Sequence, residues 1–149
     1  MPSKEVLEAD LRTAMKAGDD VRKRTLRMVL SAVKLAEVEK RGHVDEATLI
    51  AILQKEIKTR RESITDAERA HRDDIIAASQ AEIDVLNSFL PQRLSQADLQ
   101  TLVQKAIEET GASGPQDMGK VMKAVMPHVQ GRADGKDVNE LVRSLLAQA

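Results

Sequence analysis

The side chains of this sequence that could form a binding site are grouped cations, and the first group lies between residues 21 and 34. Five basic residues occur there without an acidic one. Arg24, Arg27 and Lys34 recur at a spacing that places them on one face of a helix, opposite a leucine stripe. Such a row can bind phosphates, or it can be a solvated face that pairs with acids of neighbouring helices. Both interpretations stay open.

A second basic group, between residues 55 and 72, is interleaved with acids. Glu56 and Arg60 are four residues apart, which is the spacing of an ion pair that stabilises a helix. The mixed signs favour ordinary surface salt bridges over a binding site.

A third basic group lies in the tail, where Asp134 is the only opposing acid. Its members are Lys120, Lys123, His128, Arg132 and Lys136. Lys120 and Lys123 share a helix face that points away from a stripe of methionine and valine, which we interpret as core packing. The turn that carries Arg132 and Lys136 is built by Gly131, Ala133, Asp134 and Gly135.

Patterns typical of a catalytic or metal centre are missing from the sequence. The chain has no cysteine, no glycine-rich phosphate loop and no nucleophile with a paired base. The three histidines are isolated, and adjacent acids such as Asp73 and Asp74 point to different sides of a helix. We therefore expect no catalytic residue, no metal and no cofactor.

The composition favours a helical protein with an aliphatic core. Of the 149 residues, 42% are hydrophobic and 32% charged, the net charge is −1, and Phe89 is the only aromatic residue. With so little net charge, only local groups of cations can attract nucleic acid, and base stacking on aromatic side chains is disfavoured. No apolar run suits a membrane span or a signal peptide, so we expect a cytoplasmic protein without membrane contact.

Helices must position the basic groups, because no alternating strand pattern occurs anywhere. The first helix is predicted to start at Ser3 or Lys4, the second at Asp19 or Asp20, and the third at Asp45. Around His71 the pattern of the third helix either continues or kinks. A fourth helix is predicted to run to Leu90, where Pro91 stops it.

Pro91 is also the predicted domain boundary. Ser95 begins a fifth helix, Pro115 begins a sixth, and Asp137 with Glu140 forms a capping box for a seventh. We therefore predict an all-α fold. It has an N-terminal four-helix domain, residues 1–91, and a small C-terminal three-helix bundle, residues 92–149.

The tail sequence resembles that of a known family. The segment MGKVMKAVMPHVQGRADGKDVNELVRSLL, residues 118–146, is similar to the tail shared by the GatB subunit of tRNA-dependent amidotransferase and the small YqeY proteins. The resemblance continues through KEIKTRRESI, residues 55–64, and EIDVLNSFLPQRLS, residues 82–95. It implies a helical N-terminal domain followed by a three-helix domain, and a small residue where this chain has His71.

The resemblance also implies a partner, because the matching tail of GatB helps to hold the body of the tRNA. The motifs Gly119–Lys120, Gly131–Lys136 and Asn139–Arg143 match it. The implied tRNA contacts are Lys120, Lys123, Arg132, Lys136 and Arg143, and the row Arg24, Arg27 and Lys34 is a second candidate. Similar modules are fused to a tRNA synthetase, so an aminoacyl-tRNA synthetase or an amidotransferase is the implied protein partner.

Three functions remain open at this point. The first is a non-catalytic tRNA-binding protein, or an accessory protein of a tRNA enzyme in translation. The second is an accessory subunit of a glutamine-dependent tRNA amidotransferase, because the family is described as carbon–nitrogen ligases with glutamine as amide donor. The third is an adaptor that binds proteins through apolar, methionine-rich surfaces. The catalytic domain of GatB has no counterpart here, so we expect no enzyme activity from the chain alone.

Overall fold

The structure is a computed structural model that describes residues 2–148, and over that range it is helical, with no β-strand. The α-helices are α1 Lys4–Ala17, α2 Asp20–Lys40, α3 Glu46–Arg69, α4 Asp73–Asn87, α5 Gln96–Thr110, α6 Met118–Val129 and α7 Gly135–Ala147. A short 3-10 helix, Pro115–Asp117, precedes α6. The all-α prediction is confirmed. None of the helices described for residues 2–148 combines the length and the apolar character needed to cross a membrane.

The chain divides into two compact units, Met1–Pro91 and Gln92–Ala149. Helices α1 to α4 belong to the first unit, and α5 to α7 belong to the second. Four helices begin with a side-chain cap in which an oxygen accepts a hydrogen bond from the backbone N–H three residues later. The capping residues are Ser3, Asp19, Asp45 and Ser95. These caps satisfy N–H groups that have no partner inside the helix, which fixes where the helices start.

The core of the first unit is aliphatic. Helix α1 packs mainly on α2, and α3 packs mainly on α4. The buried side chains are Leu7, Leu26, Val29, Val33, Leu49, Leu53, Ile57, Ile83 and Leu86. Phe89 packs at the edge of this core, and the guanidinium of Arg22 lies 5.4 Å from the centre of its ring, in cation–π geometry.

In the first unit, one helix boundary decides between the two alternatives left open at His71, and another differs from its prediction. Helix α3 ends at Arg69, and His71 adopts a left-handed backbone with φ of 55°, so the helical pattern does not continue through this residue. A left-handed conformation strains a side chain with a Cβ atom, whereas glycine adopts it freely. Helix α4 ends at Asn87, three residues before the predicted end at Leu90.

Arg60 is buried, which corrects the interpretation of the second basic group as ordinary surface salt bridges. The predicted pair with Glu56 is formed, with Nη1 of Arg60 donating to Oε2 at 2.7 Å. However, the side chain of Arg60 is only 6% exposed, and its Nε donates to Oε2 of Glu82 on α4, also at 2.7 Å. Arg24 on α2 reaches the other oxygen of Glu82 at 3.4 Å. These ion pairs connect three helices.

The core of the second unit is aliphatic as well. Its buried residues are Leu99, Val103, Ala106, Val121, Val125, Val129, Val138, Val142 and Leu146, and Ile107 packs against them. The interpretation of the tail stripe as core packing holds for Val121 and Val125, which are buried, and for Met118 and Met122, which pack against them, while Met126 is 37% exposed.

The predicted cap of α7 is wrong. Asp134, rather than Asp137, caps this helix, because its carboxylate accepts the N–H of Lys136 at 3.2 Å. As a result, Gly135 is the first residue of α7 rather than part of the preceding turn. The turn depends instead on Gly131, whose φ of 75° lies in the left-handed region that glycine adopts without strain.

Candidate nucleic-acid interface

Helix α6 presents two of the predicted RNA contacts to solvent. Val121 and Val125 are buried, while Lys120 and Lys123 are exposed. The two lysines are three residues apart, so their side chains lie about one helical turn from each other. Neither forms an ion pair with a described residue. Both ammonium groups are therefore available to an anionic partner.

Lys136 lies in the first turn of α7 and is also exposed, without an ion pair among the described residues. The turn before it is closed by the carbonyl of Val129, which accepts the N–H groups of Arg132 and Ala133 at 2.8 and 3.1 Å. The partial positive charge at the amino end of α7 is already met by the capping carboxylate of Asp134, so what this end offers an anionic partner is the exposed side chain of Lys136.

Arg132 has a structural role in this unit. Its side chain is half-buried, and its Nε donates to the carbonyl of Gln92 at 3.1 Å. Its own carbonyl accepts the N–H of Leu94 at 2.8 Å. Arg132 thus holds the segment that precedes α5 against the turn between α6 and α7, and it is less available to RNA than the lysines.

Arg143 continues the basic side of α7. It lies seven residues after Lys136, so both project from the same side of the helix. Its Nη2 is 3.4 Å from Oδ1 of Asn139, one turn earlier. The same helix also presents acids, since Glu140 is exposed and Asp137 lies 4.0 Å from Arg93. The positive surface of α7 is therefore narrow.

The row of cations on α2 is only partly free. Arg24 is engaged with Glu82, so the interpretation as a face paired with acids of neighbouring helices holds for this residue. Arg27 and Lys34 are exposed and form no ion pair with the described residues. The sequence reasoning missed Leu35 and Val38, two large apolar side chains that are exposed on the same side of the helix, although the helical repeat places them away from the core stripe.

A cavity of about 260 Å³ lies in the first unit, between the amino ends of α1 and α3. On its wall, Nζ of Lys4 donates to Oε2 of Glu37 at 2.7 Å, and this hydrogen bond raises the pKa of Lys4 and lowers that of Glu37. Nδ1 of His43 is 3.6 Å from the other oxygen of Glu37. No group of three histidine, cysteine or acidic residues placed to hold a metal ion occurs within residues 2–148.

Comparisons with known proteins found one matching family and several similar proteins. The family model described as Yqey-like protein matches residues 4–146. Three similar proteins carry the name "Altered inheritance of mitochondria protein 41, mitochondrial". The one from Pyrenophora tritici-repentis is 27% identical, over 94% of this chain and 78% of its own length. Those from Lachancea thermotolerans and Saccharomyces cerevisiae are each 33% identical, over 73% and 69% of this chain. The matches span 60% and 57% of the latter two relatives, which is less than two thirds of their length.

These relatives contradict the cytoplasmic localisation expected from the sequence, because all three are named as mitochondrial proteins. The expectation was wrong because it rested on the missing apolar signal run. Such a run marks export through a membrane by a secretory signal, and its absence does not separate the cytosol from an organelle.

Proposed function

We propose that this chain, which belongs to the Yqey-like protein family, is a non-catalytic accessory protein that binds tRNA. Its contact surface is the tail surface, defined as the side chains of Lys120, Lys123, Lys136 and Arg143. One observation carries the proposal: the three lysines of this surface are exposed and have no carboxylate partner among the described residues. Cations without partners are the groups that pair with backbone phosphates.

The chemistry of the tail surface suits a folded RNA better than a single strand. Proteins that bind single strands stack bases on aromatic side chains, and Phe89, the one aromatic residue, lies in the other unit. Lysines on helices reach phosphates without reading bases, which is how double-stranded RNA is recognised, largely by shape. Because the chain carries a net charge of only −1, affinity has to come from these few contacts.

The binding test is a titration of tRNA over a series of salt concentrations. In the tail variant, Lys120, Lys123 and Lys136 are changed together to Gln. Removing one phosphate contact should flatten the slope of log affinity against log salt by roughly 0.7 to 0.9. The matched control changes three exposed lysines of the first unit, Lys16, Lys55 and Lys58, so that it removes the same charge. Equal slopes for the tail variant and the parent would refute the proposal.

The same titration tests the other candidate RNA surface. Changing Arg27 and Lys34 of α2 to Gln should leave the salt slope unchanged if the tail surface binds the tRNA alone. If this variant loses affinity and the tail variant does not, the RNA contacts lie on α2.

The alternative function is that of an accessory subunit of a glutamine-dependent amidotransferase. It requires that amide transfer to the tRNA rises when this chain is added.

We further propose that residues 1–91 and 92–149 are separate domains, four-helix and three-helix respectively, with RNA binding confined to the second. The tail surface and the core beneath it both belong to the second unit. The fragment 92–149 should therefore bind tRNA with the salt slope of the whole chain. A fragment that folds but does not bind would assign part of the interface to residues 1–91.

A further inference from the structure

The solvent-facing side of α2 exposes large apolar side chains next to unpaired cations. Leu35 and Val38 are 61% and 67% exposed, and Met28 is 51% exposed. At 3.6 residues per turn, these three and the cations Arg27 and Lys34 fall within about 120° of the helix circumference. We call these five residues the α2 face. Apolar side chains gathered on one surface are typical of a site that another molecule covers.

Two cations of the α2 face have no acidic partner among the described residues. Arg27 and Lys34 form no ion pair there. From residue 21 to residue 38, the only acid of α2 is Glu37, which lies outside the face and is bound to Lys4. Glu39 borders the face in the last turn of the helix. A partner would therefore have to supply both carboxylates and apolar side chains.

We propose that the α2 face docks an acidic amphipathic helix of a partner protein, independently of the tRNA binding proposed for the tail. From Met28 to Val38 the apolar positions extend over about 15 Å, which corresponds to about three turns of an opposing helix. Aliphatic side chains on one side of such a helix would cover Leu35 and Val38. Carboxylates at its edges would pair with Arg27 and Lys34 and set its orientation.

Other occupants fit the α2 face less well. In a symmetric dimer that pairs through this face, a second copy would bring Arg27 and Lys34 against like charges, which disfavours pairing. RNA would satisfy the two cations but would bury Leu35 and Val38 against a charged sugar–phosphate backbone. A helix that lies on a membrane directs its main apolar side to the lipid, whereas the main apolar side of α2, with Leu26, Val29 and Val33, lies in the core.

The first experiment identifies what covers the face. A photoreactive amino acid is placed at Leu35 of the whole chain, and crosslinks formed in living cells are mapped by mass spectrometry and RNA sequencing. The control carries the same group at Thr59, an exposed position on α3. We expect a crosslink from position 35 to a protein segment with alternating acidic and aliphatic residues at helical spacing. A crosslink to RNA, to lipid or to a second copy would overturn the proposal, as would no crosslink above the control.

The second experiment measures binding of the crosslinked segment, made as a synthetic peptide. Changing Leu35 and Val38 together to Gln should weaken its binding at least tenfold, and changing Arg27 and Lys34 to Gln should remove most of its salt dependence. All four side chains are exposed, so the fold should survive, and circular dichroism checks this. The tail variant should bind the peptide like the parent, which separates this site from the tRNA surface. Unchanged peptide binding by the Leu35 and Val38 variant would refute the proposal.

Discussion

Nε of Arg60 donates to Oε2 of Glu82 at 2.7 Å, and this ion pair joins α3 to α4 inside the first unit. The side chain of Arg60 is 6% exposed and that of Glu82 is 16% exposed. A buried guanidinium is stable only when acceptors surround it, and Glu56 and Glu82 supply them from two helices. The pair therefore constrains how the two helices meet.

Removing the negative charge of Glu82 should destabilise the protein. The Glu82→Gln substitution leaves the charge of Arg60 with one carboxylate instead of two, so we expect a loss of about 2 kcal/mol in the free energy of unfolding. Glu62→Gln, at an exposed position of α3, is the control and should stay within about 0.5 kcal/mol of the parent. Denaturant titrations measure both, and equal stabilities of the two variants would contradict a structural role for the pair.

Acid should weaken the link between α1 and α2. The hydrogen bond from Lys4, followed by its charge, lowers the pKa of Glu37, so the folded protein binds this proton less readily than the unfolded chain. The stabilisation is complete above the ordinary carboxyl pKa, near pH 4, and is lost as the pH falls through the lower folded value. The difference in unfolding free energy between the parent and Glu37→Gln should therefore be smaller at about pH 3 than at about pH 6. A constant difference would show that the pair does not act through charge.

Replacing His71 by glycine should stabilise the protein. His71 has a φ of 55°, and its Cβ atom makes this conformation unfavourable, whereas glycine adopts it freely. We expect His71→Gly to raise the free energy of unfolding by about 1 kcal/mol. The neighbouring Ala70 has a φ of −90°, so Ala70→Gly relieves no strain and serves as the control. Equal or lower stability of His71→Gly would contradict the strain assigned to the turn.

Trypsin should separate the two units after Arg93, whose side chain is exposed. The hydrogen bonds of Arg132 to Gln92 and Leu94 should slow this cleavage, because the chain has to detach before it enters the protease. Changing Arg132 to Gln removes the bond to Gln92 and should speed cleavage about tenfold. Arg143→Gln is the control and should cleave like the parent. Protection after Arg93 as strong as that of the helices would contradict separable domains.

The helix starts were predictable from the sequence because a cap is local. At Ser3, Asp45 and Ser95, the side chain and the N–H that it accepts are three residues apart, so the pattern contains both partners. The start of α7 was not predictable, since Asp134 and Asp137 both suit a cap. Which of the two aspartates caps α7 depends on the position of the left-handed residue in the preceding turn, and that residue is Gly131.

Contacts between distant residues could not be predicted. Arg60 and Glu82 are 22 positions apart, and Arg132 and Gln92 are 40 apart. Spacing along one helix contains no information about such partners. The burial of Arg60 was missed for this reason, and so was the hydrogen bond by which Arg132 holds the chain before α5. Lys120 and Lys123 were placed correctly on the exposed side of α6, because their position depends only on the helical repeat.

The two aliphatic cores differ in their isoleucine content, and this gives each unit its own spectroscopic signal. Ile107, which packs on the second core, is the only isoleucine after Pro91, whereas seven isoleucines precede it. In a sample labelled with carbon-13 only at the Cδ1 methyl group of isoleucine, a single resonance therefore reports on the unit that carries the tail surface. The seven other resonances report on the unit that carries the α2 face, so two ligands can be assigned to their units in one spectrum, without a mutation.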